Sequence, residues 1–284
     1  MRMELIGVIG AGTIGTGVAQ DLAASGYRVL LLDVTDDRLD RARTEILKNI
    51  RLERMLKRGT RIPDSETVLS NISFSTDYAC LERAGFIIEN VTEKWAVKRD
   101  VYKSLDSICP ASTIFAANTS AIPITRIASV TSRPTQVIGL HMMNPVPLKS
   151  TVEVIRGFHT SEDTVRASME LLTSLGKEAI LVNDSPGFVS NRVLMLTINE
   201  AIFLLHERVA KAEDVDRLFR SAIGHKMGPL ETADLIGLDT ILFSIEVLHE
   251  CFGDSKYRPC PLLKSMVEAG LLGRKSGSGF YSYT

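Results

Sequence analysis

The sequence is short of everything that would make its chain a specialist. Its four cysteines, Cys80, Cys109, Cys251 and Cys260, form no CxxC pair and show no metal-ligand spacing. A disulfide framework and a metal site are therefore not expected, and the cysteines read as free thiols of a reducing cytosol. An excess of one charge is also lacking. The net charge of −1 gives no whole-molecule field that would gather nucleic acid or a membrane surface. No run reaches the ~18 apolar residues of a membrane span. Residues 5–9 make too short an apolar core for a signal peptide and run straight into a glycine loop, so a cytoplasmic protein is expected. There is no internal repeat and no low-complexity linker. What is left is an ordinary globular composition, 45% hydrophobic and 24% charged over 284 residues. That length allows two domains, or one large α/β domain with an extension.

The first organised stretch is a strand-length apolar run at 5–9, followed at once by Gly10-Ala11-Gly12-Thr13-Ile14-Gly15. Val18, Ala19, Leu22 and Ala23 then recur at helical spacing, and Gly26 ends that helix. A second apolar run at 27–32 carries Asp33 at its carboxyl end. Strand, GxGxxG, helix, strand and acid in this order make a dinucleotide site. Gly10 allows the tight turn, Gly12 lets backbone approach a pyrophosphate, and Gly15 lets helix pack on strand. The helix N-terminus offers free N–H groups and partial positive charge to phosphates. Asp33 can accept from ribose hydroxyls and would repel a 2′-phosphate, which favours NAD over NADP. The alternative is a bare tight turn between strand and helix.

Alternation of strand and helix continues to residue 183. Strands are predicted at 71–74, 86–90, 113–117, 136–140, 151–155 and 179–182, with helices at 94–107 and 161–176. Residues 36–59 form a long helical segment rich in Arg and Lys. It reads either as a solvated face, with Glu45 and Glu53 as helical partners, or as a docking surface for an anionic group. Asn118-Thr119-Ser120 ends the 113–117 strand where ligands sit in open α/β sheets. Ser120 can bond a substrate oxygen, or it caps the segment around Pro123. Glu93 and Lys98 flank the loop after the 86–90 strand, as cofactor contacts or as surface charge.

His141 closes the apolar run at 136–140, and Pro145 and Pro147 force an extended, turned path after it. The next strand can bring Glu153 back beside His141. A carboxylate-held neutral imidazole is a good general base near neutral pH. The alternative is a core histidine beside an unrelated glutamate. After Asn183-Asp184-Ser185-Pro186-Gly187 the pattern turns to helices almost throughout, at 189–209, 213–223, 229–236, 239–251 and 262–269. This predicts a Rossmann-type doubly wound, mostly parallel α/β domain over 1–185 and an all-α domain over 186–284. Residues 241–248 are apolar on most faces, so a homodimer through this domain is expected. Asn191, in the first turn of that domain, could bond His141 or a substrate carbonyl.

The glycine fingerprint, Asn118-Thr119-Ser120, His141-Met142-Met143-Asn144-Pro145, Asp184-Ser185-Pro186-Gly187-Phe188, Met227-Gly228-Pro229 and the terminal Gly273-Arg274-Lys275-Ser276-Gly277-Ser278-Gly279-Phe280-Tyr281 occur in one chain. Taken together the sequence resembles the 3-hydroxyacyl-CoA dehydrogenase family along essentially its whole length, in the stand-alone bacterial 3-hydroxybutyryl-CoA dehydrogenase form. The resemblance implies NAD-dependent interconversion of a 3-hydroxyacyl thioester and its 3-oxoacyl form. It implies His141 as catalytic base, Glu153 as its orienting partner, and Ser120 and Asn191 as the other catalytic polar residues. By the same resemblance Gly10, Gly12, Thr13, Ile14, Gly15, Asp33, Glu93, Lys98, Ser120, Asn144 and Lys264 fall at NAD contacts. Coenzyme A contacts would fall near Lys48, Asn49 and Lys57. Two departures stand out. Met142 and Met143 replace the family's usual aromatics, and Lys149-Ser150-Thr151 precede Val152-Glu153. They leave open a hydroxyacyl group, such as glyceryl, held on an acyl carrier protein; a separate alternative is a different oxidoreductase on the same scaffold, acting on a sugar acid of the gulonate type.

Overall fold

The computed structural model describes residues 5–56 and 63–283. The chain divides into two compact units, Met1–Asp184 and Ser185–Thr284.

In the first unit the strands are β1 (Leu5–Ile9), β2 (Arg28–Leu32), β3 (Ile72–Ser75), β4 (Phe86–Glu89), β5 (Ile114–Ala117), β6 (Val137–His141), β7 (Thr151–Arg156) and β8 (Glu178–Asn183). Among the described residues they make one sheet in the order β3-β2-β1-β4-β5-β6-β7-β8. Pairing is parallel from β3 through to β6, antiparallel between β6 and β7, and parallel again to β8. The edge strands β3 and β8 are partly exposed, while the inner parallel strands β2, β1, β4, β5 and β6 are largely apolar runs because helices cover both faces. Their side chains, including Ile6, Val8, Val29, Leu31, Phe86 and Ile88, form the core of this unit. The covering helices are α1 (Thr13–Ala24), α2 (Asp36–Leu56), α3 (Ser65–Ser70), α4 (Trp95–Ile108), α5 (Ile124–Ala128) and α6 (Glu162–Ser174). Strand order reverses between β1 and β4, and a crevice opens at such a switch point above the carboxyl ends. The expected fold class is thus the observed one.

Two details differ from expectation. Glu53 lies inward on α2, where its carboxylate accepts from Gln20 Nε2 at 3.2 Å. Leu39, Ala42, Ile46 and Ile50 form the buried stripe. Ser120 does not cap the helix that follows it. That helix starts after Pro123, with no side chain capping it.

The second unit consists of α7 (Ser190–His206), α8 (Ala212–Ser221), α9 (Pro229–Ile236), α10 (Leu238–Phe252) and α11 (Pro261–Glu268). Ile198, Ile202, Leu230, Leu238, Ile241 and Ile245 lie at its core. Asp234 gathers the C-terminal segment, accepting from the Phe280 amide at 3.0 Å, the Tyr281 amide at 2.9 Å and the Tyr283 hydroxyl at 3.0 Å. A Cβ on Gly273 or Gly279 would strike Asp234, so the terminal glycines let the chain close on this carboxylate. No helix among the described residues is long and apolar enough to cross a membrane.

Candidate active site

Gly10 ends β1 with φ of +91°, and a Cβ there would lie 2.8 Å from the Asn90 carbonyl. A Cβ on Gly15 would collide with the Gly10 carbonyl. Both positions therefore need glycine for the loop to fold over the β1–β4 crevice. Gly12 differs, since a Cβ there would meet nothing within 4 Å. Gly12 and Thr13 are exposed, and no side chain caps α1 at Gly12. Open space in front of uncapped first-turn amides suits a pyrophosphate. Asp33 closes the loop from β2: Oδ2 accepts from the Ala11 amide at 2.7 Å, and Oδ1 from the Val34 amide at 2.7 Å. Arg38 Nη1 adds a contact to Oδ1 at 3.2 Å. The donor set and the space fit a dinucleotide, and the carboxylate stands where a 2′-phosphate would be repelled.

Further along the same edge the antiparallel register sets His141 opposite Glu153. His141 Nδ1 lies 3.1 Å from Glu153 Oε2, and Nε2 lies 3.1 Å from Ser120 Oγ. A carboxylate only accepts, so Nδ1 carries the ring proton and Nε2 presents its lone pair. Ser120 then donates to Nε2. Both His141 and Glu153 are buried, at 6% and 7% exposure, which strengthens their mutual field. The connection between β6 and β7 is pinned from below. Lys177 Nζ donates to the Val146 carbonyl at 2.9 Å and the Lys149 carbonyl at 2.8 Å, and pairs with Asp21 at 2.7 Å. Gly17 of α1 leaves room for this turn, because a Cβ there would lie 2.9 Å from Val146 Cβ. Met142 is buried and Met143 partly exposed. Asn144 is exposed and precedes the cis Pro145 bond.

The third cluster was invisible in the sequence as a cluster. Glu89, at the end of β4, is wholly buried and bonds Lys98 Nζ through both oxygens at 2.9 Å. Lys98 also donates to the Asn118 carbonyl at 3.0 Å and pairs with Glu93 Oε2 at 3.7 Å. Burial pushes the Glu89 carboxyl above its ordinary range, and the Lys98 ammonium opposes that rise. Glu93 Oε1 accepts from Thr119 Oγ1 and from the amides of Ser120 at 3.1 Å, Ala121 at 3.0 Å and Ile122 at 3.4 Å. Asn118 donates to Asn90 Oδ1 at 2.8 Å, while its Oδ1 accepts from the Met142 amide at 3.2 Å. Two asparagines at the ends of neighbouring strands are the one signal that could have flagged this cluster.

The remaining candidates are carried by other elements. Lys48 is exposed on α2 beside Glu45 at 3.5 Å, and Asn49 is half-buried next to it. Lys57 falls outside the described residues. Asn191 stands in the first turn of α7. Lys264 is on α11, 3.9 Å from Glu246. Both belong to the helical unit.

The family model described as 3-hydroxyacyl-CoA dehydrogenase, NAD binding domain, matches residues 5–185. The one described as 3-hydroxyacyl-CoA dehydrogenase, C-terminal domain, matches residues 187–283. A probable 3-hydroxybutyryl-CoA dehydrogenase of Bacillus subtilis is 49% identical over 100% of this chain and 98% of its own. The human mitochondrial hydroxyacyl-coenzyme A dehydrogenase is 37% identical over 97% of this chain and 90% of its own. The crystal structure of (S)-3-hydroxybutyryl-CoA dehydrogenase from Ralstonia eutropha matches with a TM-score of 0.95, at 41% identity, over 100% of both chains.

Proposed function

The chain belongs to the 3-hydroxyacyl-CoA dehydrogenase family, and we propose that His141, oriented by Glu153, moves the proton of its reaction on a short acyl-CoA of the 3-hydroxybutyryl class. The activity is the NAD-dependent interconversion of 3-hydroxyacyl-CoA and 3-oxoacyl-CoA. The short acyl group follows the names of the relatives from Bacillus subtilis and Ralstonia eutropha.

One observation carries the proton-transfer reading: a single buried imidazole bridges Glu153 and Ser120, at 3.1 Å on each nitrogen. NAD supplies the hydride acceptor. In the oxidative direction His141 Nε2 takes the hydroxyl proton as the carbinol carbon gives up its hydride. Glu153 stabilises the imidazolium that forms. Ser120 Oγ, 3.1 Å from Nε2, turns its hydrogen bond from the ring to the substrate oxygen, which holds that oxygen in line and frees the Nε2 lone pair for the proton. In the reductive direction the imidazolium returns the proton to the carbonyl oxygen. Gly10, Gly12, Thr13, Ile14 and Gly15 would cradle the pyrophosphate of a bound NAD, and Asp33 would take its adenosine ribose. Asn144 is exposed on the turn after His141 and is available to the cofactor. The family resemblance assigns Asn191 to a substrate oxygen, Lys264 to the cofactor, and Lys48 and Lys57 to coenzyme A. The free thiols Cys80, Cys109 and Cys260 suit a reducing cytosol.

The helical unit pairs with a second copy of the chain. Phe243, Leu218 and Leu235 are large apolar side chains with 47%, 61% and 51% exposure, which a partner copy would cover.

The test of substrate class is NADH oxidation with acetoacetyl-CoA, the same acyl group on an acyl carrier protein, and free acetoacetate. Turnover led by the CoA thioester is expected. Preference for the carrier-bound or free acid overturns the assignment.

A further inference from the structure

We propose that Glu93 is a positioning residue for hydride transfer, holding the loop 119–122 so that the Ser120 hydroxyl stays beside His141 Nε2, where both can reach the substrate oxygen. The proposal rests on the reading of His141 as the base.

One oxygen of Glu93 receives the Thr119 hydroxyl and three successive amides, those of Ser120, Ala121 and Ile122. Three consecutive N–H groups converging on one point is a conformation that the loop cannot hold without an acceptor. A carboxylate supplies that acceptor and makes the bonds charge-assisted. Its own charge is balanced by Lys98 at 3.7 Å. Lys98 is in turn fixed on Glu89 and on the carbonyl of Asn118, the residue that opens the loop. The loop is thus gripped at its start by Lys98 and along its length by Glu93. Asn118 also accepts the amide of Met142, the residue after His141. Loop and base therefore share one frame, and the frame fixes the 3.1 Å separation between Ser120 Oγ and His141 Nε2. Glu93 is 28% exposed at its side chain, so it borders the open side of the site while its oxygen points into the loop.

The competing role is direct contact with NAD, which the family resemblance implies for Glu93. The two roles separate kinetically. A cofactor contact changes the affinity for NADH. A loop clamp changes turnover, and only through Ser120.

The experiment uses the full-length enzyme with NADH and acetoacetyl-CoA, comparing Glu93→Ala, Glu93→Gln, Ser120→Ala, the Glu93→Ala/Ser120→Ala and Glu93→Gln/Ser120→Ala double variants, and His141→Gln. NADH affinity and thermal melting are recorded for each. Glu93→Ala is expected to lower kcat by about 100-fold, the loss that a misplacement near 1 Å can cause, with the KM for NADH unchanged. Glu93→Gln keeps a carbonyl acceptor and is expected to lose less. In the Ser120→Ala background neither substitution is expected to lower kcat further. If Glu93→Ala does not fold, the Glu93→Gln pair completes the same cycle. A raised KM for NADH at intact kcat, or losses that multiply in the double variant, overturns the proposal. Near-normal turnover of His141→Gln and Ser120→Ala would instead overturn the base assignment beneath it.

Discussion

Lys98 and Glu89 show what a single buried charge does to this unit. Glu89 has no exposed side-chain surface, and neither has Lys98. Burial raises the Glu89 pKa and Lys98 holds it down. Replacing Lys98 by Met leaves the carboxylate uncompensated, at a cost of about 3–5 kcal/mol near neutral pH. The sign follows from linkage. With Lys98 gone the folded-state pKa of Glu89 rises further above its unfolded value. The stability of the variant is then fullest in acid, where Glu89 is protonated, and is lost as pH rises through the folded pKa. Urea unfolding of wild type and Lys98→Met should therefore differ widely near neutrality and converge toward about pH 5, close to the ordinary carboxyl range. A gap that stays constant with pH would contradict this account of the pair. The Cys109 thiol, pushed up to about 11 by burial, is unreactive at neutral pH for the same reason.

Helix α10 carries the argument about assembly. Ile241, Ile245 and Leu248 are buried on one side, while Phe243 is exposed on another. The native chain is expected to sediment as a dimer, and Phe243→Glu as a monomer with helical content retained. A native monomer, or a Phe243→Glu dimer, would contradict it. Most elements of the chain were legible before any coordinates, and for a physical reason. The central strands β1, β4, β5 and β6 are short apolar runs closed by glycine or polar residues, and burial on both faces demands that pattern. The long helices carry their apolar stripe at 3.6-residue spacing. The short helices α3 and α5 were not legible. Five or six residues cannot sustain a helix by propensity, and tertiary contacts hold them. Asp184 is one such contact, accepting from both the Thr125 amide and its hydroxyl at the head of α5.

The whole molecule joins a nucleotide-binding sheet to a helical unit, and the two were legible to different depths. Glycine spacing and an acid at a strand end report a dinucleotide site because few other needs produce them together. His141 and Glu153 were legible as a pair because a turn between adjacent strands brings them opposite one another. The grip of Glu93 on the loop 119–122 was not, since its partners lie 26 to 29 positions away and no local pattern encodes such a closure. The buried position of Lys98 was hidden likewise, because a lysine on a helix reads as surface charge until the fold closes over it. The claim on which the rest depends is that the His141 imidazole moves the proton. Its most direct test is turnover of His141→Gln with acetoacetyl-CoA, alongside NADH binding to the same variant. The account expects kcat to fall by about 10²–10⁴-fold with NADH affinity intact. Turnover close to that of the native enzyme would contradict it.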